Sequence, residues 1–488
     1  MTIIDRGRTA MMRRDLSKPM AAALADGLLV PGKSVFDYGC GRGGDVLRLA
    51  ALGYEVAGWD PDHAASSPLQ EADVVNLGYV VNVIEDPNER VHVLQAAWSL
   101  ARQVLVVAGR PDWEARHVQG RRHGDGILTT KGTFQKFFKQ DELRSWIDVH
   151  LGVRSIAAAP GIFYVFRDPA QSHGFLASSF RRRRSTRNLA KLGGALHEEH
   201  RTLLDPIIQF ALERGRLPSE LEINSREDIG STFGSIKKAL TTTRGLIDER
   251  SWTDAQQTAR QDLIVYLALA AFGGRAKLGD LPEDMQLDIK ALFGSYKVAC
   301  KTADELLFSI ADQKAVSSAC ASAPFGKVTP EALYVHSSTI SRLSPLLRVY
   351  EGSGRALTGI AEGSTLVKLN RIEPKVSYLA YPEFDRDPHP ILLASLRADL
   401  RRLHVRYSDY SDSSNPPILH RKETFVPEGY PGREKFSRLT QQEERAGLLD
   451  ETSAIGTQLG WNASLDRAGY RLTGHRLVRG TPHRSALE

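Results

Sequence analysis

The sequence predicts an α/β amino-terminal domain built on a parallel sheet, followed by a mainly helical middle and a mixed α/β carboxyl-terminal domain. Three observations carry this. Short apolar runs of β type alternate with helical stretches from about 34 to 167, the rhythm of a parallel sheet covered on both faces. Apolar residues then recur at helical intervals, as at Leu203, Ile207, Phe210 and Ala211. Beyond Val328, proline and glycine punctuate short elements. The expected domains are 1–180, 181–327 and 328–488, the first limit falling at the arginine block Arg181, Arg182, Arg183, Arg184 and Arg187.

The elements follow in order. A strand over 34–38 ends in Asp37 and runs into a turn holding Gly39, Gly41, Gly43 and Gly44, where the missing Cβ lets the backbone approach a ligand. A helix carrying Val46, Leu47, Leu49 and Ala50 returns the chain over the sheet toward Gly53. The strand over 54–59 ends at Asp60, where a carboxylate can accept hydrogen bonds from both hydroxyls of a ribose. Asp37 lies two positions before the first glycine, where it meets an ammonium group more naturally than a pyrophosphate. A strand over 73–77 leads into Asn76-Leu77-Gly78-Tyr79, and a helix marked by Val91, Leu94, Trp98 and Ala101 feeds a strand over 104–108. The last strand of this sheet is expected over 162–166.

Composition narrows the function classes. The net charge of +6 is a small excess over mixed charge and leans only mildly toward anionic partners. Cys40, Cys300 and Cys320 are scattered and form no CxxC pair, so neither a disulfide framework nor a metal site is expected, and the setting reads as cytoplasmic. Cys40 reads as a small filler in its loop. The longest apolar candidate, 263–272, is too short for a membrane span, and the first thirty residues hold no secretion-signal core.

The string Asp37, Gly39, Gly41, Gly43 resembles the first motif of the Rossmann-like class I methyltransferases that use S-adenosyl-L-methionine. The resemblance implies that Asp37 and the glycine turn hold the methionine end of that cofactor, that Asp60 holds the ribose, and that 71–75, with Asp73, flanks the adenine. Asn76 to Tyr79 then lie where cofactor and acceptor meet. The 35–45 string and four further strings are similar to the methyltransferases associated with DNA phosphorothioation: Gly58-Trp59-Asp60-Pro61, Val74 to Pro87, Gly132 to Phe138, and Asn415-Pro416-Pro417-Ile418-Leu419-His420-Arg421-Lys422-Glu423. This likeness implies a bacterial protein whose partners are DNA or DNA-modification proteins.

The acceptor is less legible. Asn76 and Tyr79 are the catalytic candidates, since amino-methylating DNA enzymes place an acid or amide, two prolines and an aromatic there to grip a flipped base. The prolines are missing here, and no cysteine follows the strand to attack a cytosine ring. Asp125 and His123 are candidate bases. Arg121, Arg122 and Lys136, interleaved with aromatics, suit phosphate contact and stacking, as do Arg181, Arg182 and Arg183 and the trio His420, Arg421 and Lys422. The competing expectations are a tRNA or small-molecule acceptor and a non-catalytic scaffold.

Overall fold

The computed structural model describes residues 4–11, 13–181, 200–360, 363–453 and 455–479. Two compact units divide the chain: residues 1–168, 320–339 and 350–488 form one, and residues 169–319 and 340–349 the other.

The first unit opens with helix α1 (Lys18–Ala25) and continues through β1 (Ser34–Tyr38), α2 (Gly44–Ala51), β2 (Glu55–Trp59), β3 (Ala72–Gly78), α3 (Pro87–Leu100) and β4 (Ala101–Ala108). A small meander follows, made of β5 (Gly120–His123), β6 (Gly126–Thr129) and β7 (Phe134–Gln135). Helix α4 (Gln140–Leu151) and the hairpin of β8 (Ile156–Ala159) and β9 (Ile162–Phe166) complete this part. The sheet order is β2-β1-β3-β4-β9-β8. Strands β1 to β4 are mutually parallel, whereas β9 runs antiparallel to both β4 and β8. The fifth strand is therefore a correction to the parallel expectation. A tight turn at Gly161, in the left-handed region at φ +72, reverses the chain, and a Cβ there would stand 2.3 Å from the Gly109 carbonyl oxygen.

Burial explains the register. Phe36, Val75, Leu77, Leu105, Val107, Phe163 and Val165 point from the sheet into one core, met by Leu94 and Ala97 of α3 and by Leu143 and Ile147 of α4. Helix α3 starts where sequence chemistry favours it: Asp86 accepts from the Asn88 amide at 2.9 Å and Pro87 occupies the first turn. The carboxyl ends of β1, β2 and β3 share one edge, where a doubly wound sheet places its ligands.

The rest of this unit is a second six-stranded sheet, antiparallel throughout, in the order β10 (Lys327–Val328), β11 (Ala332–His336), β12 (Ser364–Asn370), β13 (Lys375–Ala380), β14 (Ala394–Asp399), β15 (His404–Asp409). Leu366, Tyr381, Phe384, Phe425 and Phe436 pack a core beside it. The helices Arg433–Arg445 and Gln458–Ala468 and a two-stranded ribbon, β16 (Tyr470–Leu472) with β17 (Leu477–Arg479), follow.

The second unit is helical. Its core gathers Val265, Tyr266 and Leu267 with Met285, Ile289 and Ala299, and Arg214 and Arg216 converge on the buried Asp288. Among the described residues no helix is long and apolar enough to cross a membrane.

Candidate cofactor crevice and acceptor pocket

Parallel register sets Asp37 beside both Gly58 and Asn76. The chain then leaves β1 through Gly39, Gly41 and Gly43, each at positive φ. The close approach is sharpest at Gly39, where a Cβ would lie 2.4 Å from Val80 Cγ2. The turn is tied down by Asp60, whose Oδ2 accepts from the Gly41 amide at 3.0 Å while Oδ1 accepts from the amides of Asp62 and His63. Asp37 Oδ1 accepts from Asn76 Nδ2 at 2.8 Å. Gly78 leaves room for that side chain, since a Cβ there would lie 2.9 Å from Asn76 Nδ2.

The crevice is electrostatically incomplete. Asp37, Asp45 and Asp60 are all buried. Burial, then Asp45, push the Asp37 carboxyl up to about 7 against the opposing Asn76 hydrogen bond and Arg13. Asn76 Oδ1 is buried with no hydrogen-bond partner. A glycine cradle, an unpartnered amide oxygen and crowded carboxylates fit a ligand that brings cationic and hydrogen-donating groups. S-adenosylmethionine, with its sulfonium and ammonium, has those groups. Cys40, in the same turn, is pushed up to about 12 by burial and then by Asp37 and Asp60, so it stays a neutral thiol and its reading as filler stands on physical grounds.

Residues 6–11 and 13–17 form an arch across this edge, and sequence reasoning missed it. Arg6 pairs with Glu85 at 2.9 Å and also binds Glu89. The Gly7 carbonyl meets His63 Nε2 at 3.0 Å, and the Ser17 amide donates to Asp45 at 2.8 Å. Ala10 packs over Gly41, and the Arg13 guanidinium sits 5.7 Å from the centre of the Tyr79 ring. Tyr79 itself has φ 63, a conformation that costs a non-glycine residue energy and marks the place where backbone aims a side chain.

Tyr79 also lines a cavity of about 830 Å³. Its walls come from α1, from the segment after β4, from β8 and β9, and from β13 to β15. Trp113 and Tyr407 stack across it with ring centres 4.9 Å apart and planes 17° from parallel. Arg116 pairs with Asp409 at 2.8 Å at its polar edge. Asp26 enters from the end of α1 and accepts from the Tyr164 hydroxyl at 2.8 Å, its carboxyl raised by burial.

The family model of the tellurite resistance protein TehB matches residues 20–99, the stretch that holds the glycine turn, Asp60 and Asn76. This domain has the Rossmann-like class I methyltransferase fold. Solved structures similar to the chain include the 1,6-didemethyltoxoflavin-N1-methyltransferase of Burkholderia thailandensis, with 12% identity over 30% of this chain and 76% of that one at a TM-score of 0.24. The magnesium protoporphyrin IX methyltransferase of Synechocystis PCC 6803 has 17% identity over 34% of this chain and 94% of that one at a TM-score of 0.23. The amino pentose methyltransferase CalS10 of Micromonospora echinaspora has 16% identity over 33% and 94%, at a TM-score of 0.23. No curated protein matches.

This domain brings Asp37, Gly39, Gly41, Gly43, Asp60 and Asn76 to one edge, with Tyr79 between crevice and pocket. Asp73 is a correction: it is the second residue of β3, next to Ala72 at the opposite edge of the sheet, where its carboxylate accepts from the Ser34 amide and hydroxyl at 3.0 Å and from Gln103. Asp125 is another. Burial would raise its carboxyl, but Arg90, which grips both oxygens, and Lys136 outweigh that and lower it, so it is a fixed ion-pair partner and a poor base.

The phosphate-contact candidates scatter. Arg121 and Arg122 are exposed on β5, while Lys136 is buried against Asp125 and Glu142. Arg181 is in the helical unit beside Asp288, and Arg182 and Arg183 lie outside the described residues. The His420 to Lys422 string turns inward, contrary to expectation. His420 Nε2 meets the Ile455 carbonyl at 2.7 Å, Arg421 pairs with Glu444, and Lys422 is buried with Nζ donating to the Phe384 and Asp387 carbonyls.

Proposed function

We propose that this chain is an S-adenosylmethionine-dependent methyltransferase whose acceptor is a small, largely planar molecule entering the cavity beside Tyr79. The observation that carries the reading is Asp37, buried with Asp45 and Asp60 at a glycine turn and short of positive charge. When bound, the cofactor supplies a methyl group on a positively charged sulfur. Asp37 and Asn76 hold the cationic methionine end, and Asp60, whose Oδ1 already accepts two amides and whose Oδ2 accepts one, offers the acceptor site left on Oδ2 to a ribose hydroxyl. The arch of residues 6–11 and 13–17 covers part of that edge. Trp113 and Tyr407 supply a flat apolar wall, and Arg116 with Asp409 a polar edge, the few placed polar groups that orient a small ligand.

Positioning supplies most of the rate in such a transfer, because the acceptor lone pair must lie in line with the departing sulfur. A base is needed only where the acceptor must lose a proton, and Asp26 is the pocket carboxyl whose raised pKa suits that task. A DNA acceptor, the expectation from the phosphorothioation-associated likeness, is weakened by the ion-paired or buried state of Lys136, Arg421 and Lys422. Incubation with methyl-labelled cofactor and, separately, bacterial small-molecule extract and genomic DNA tests the choice. Label in small molecules, weakened several-fold in Trp113→Ala, is expected. Label in DNA alone would overturn the small-acceptor reading and restore the nucleic-acid one.

A further inference from the structure

Two imidazoles and a carboxylate meet in the interior of the carboxyl-terminal part of the first unit, away from the glycine turn in sequence and in sheet. His389 follows β13, His420 follows β15, and Glu443 sits on the helix Arg433–Arg445. Short antiparallel bridges, Ile391 with Ile418 and Pro417 with Thr457, draw these segments together. One ligand atom from each of the three side chains lies within 4.8 Å of the other two. Glu443 is 0% exposed and His389 7%.

The hydrogen bonds around the trio set the tautomers. His389 Nδ1 faces the Leu419 carbonyl at 3.2 Å, and His420 Nε2 faces the Ile455 carbonyl at 2.7 Å. A carbonyl accepts only, so each of these nitrogens carries the ring proton, and His389 Nε2 and His420 Nδ1 are left as lone pairs. His389 Nε2 then faces Glu443 Oε1 at 2.7 Å, lone pair to lone pair. His420 Nδ1 and Glu443 Oε2 are buried with no partner at all. A proton shared between His389 and Glu443 would settle the first contact and leave the other two atoms unsatisfied, each at the cost of a buried polar group without a bond. A single cation among the three settles all of them. Backbone carbonyls that hold the outer nitrogen of each ring are the usual support of histidine metal ligands. The Trp461 indole packs 4.7 Å from both rings and shields the cluster.

We propose that His389, His420 and Glu443 bind a first-row transition-metal dication, zinc or a chemically similar ion. Two imidazole nitrogens with one carboxylate suit such an ion and disfavour magnesium or calcium, which prefer oxygen ligands throughout. The site gives the Asn415 to Glu423 string a structural purpose: it delivers His420 to a centre that ties two loops and a helix together.

The test is titration of tag-free, chelator-treated full-length protein with cobalt(II), followed by visible absorption and by competition with zinc. One equivalent of cobalt with ligand-field bands, displaced by zinc, is expected. His420→Ala and Glu443→Gln, checked for folding by circular dichroism, should each weaken binding more than about tenfold, whereas Asp37→Ala should leave it unchanged. Absence of saturable binding in the folded wild-type protein would overturn the proposal whatever the variants do. So would equal affinity in both folded variants.

Discussion

Asp37 concentrates the residue-scale argument, because its carboxyl stands at about 7 while the same group in an unfolded chain titrates near 4. Between those values the native protein keeps a proton that the unfolded chain has lost. Its contribution to stability is therefore fullest below about 4 and is lost as pH rises toward about 7. Melting of the ligand-free protein should show that loss, and Asp37→Asn should flatten it; an identical slope in the variant would reject the assignment. A cationic ligand favours the ionised form, so S-adenosylmethionine should bind more tightly as pH rises through about 7 and should release a proton on binding. Gly39→Ala should destabilise the fold by about 1–3 kcal/mol in urea titration and abolish cofactor binding, since the added methyl carbon meets Val80 and φ stays positive. Asp37, the glycines, Asp60 and Asn76 were legible because their chemistry is local: a strand end, a turn, a strand end. Asp73 was misassigned although its position was readable, for a residue near the start of a parallel strand faces the opposite edge from one that ends it. Asp125 and Lys422 were not readable, because Arg90 and the carbonyls of Phe384 and Asp387 reach them only through the fold.

At the scale of elements, the arch of residues 6–11 and 13–17 is held by contacts to Glu85, Glu89, His63 and Asp45 and packs Ala10 over the glycine turn. Arg6→Ala removes the partner of two carboxylates. It should speed tryptic cleavage at Arg8, Arg13 and Arg14 and weaken cofactor affinity several-fold, and saturating cofactor should slow cleavage in the wild type. Cleavage indifferent to cofactor would mean that the arch does not close over it. The arch was hidden in the sequence because its arginines carry no periodicity and pair with residues far along the chain. The stretch holding Arg121, Arg122 and Lys136, from which the sequence suggests only phosphate contact and stacking, builds the meander β5 to β7. Yet His123 and Gly126 pair across the two-residue Gly124-Asp125 turn, with Gly124 at positive φ, and glycine in a two-residue loop is a hairpin signal.

For the whole molecule, the carboxyl-terminal strands β13 to β15 matter because they wall the cavity that Tyr79 shares. The sequence reading of short, punctuated elements missed a continuous antiparallel sheet, since the long connection from Tyr381 to Leu393 interrupts the alternation between β13 and β14. Trp113→Ala and Tyr407→Ala should raise the acceptor KM by about fivefold, the scale expected from losing roughly 1 kcal/mol of aromatic contact, while leaving cofactor affinity within about twofold. Equal losses of both would place the stacked pair in the cofactor site. The most direct experiment is calorimetric titration of the full-length protein with S-adenosylmethionine beside Asp37→Ala and Asp60→Ala. Saturable one-to-one binding that both folded variants lose is the predicted result, and a folded wild-type protein that gives only heats of dilution would contradict the methyltransferase reading.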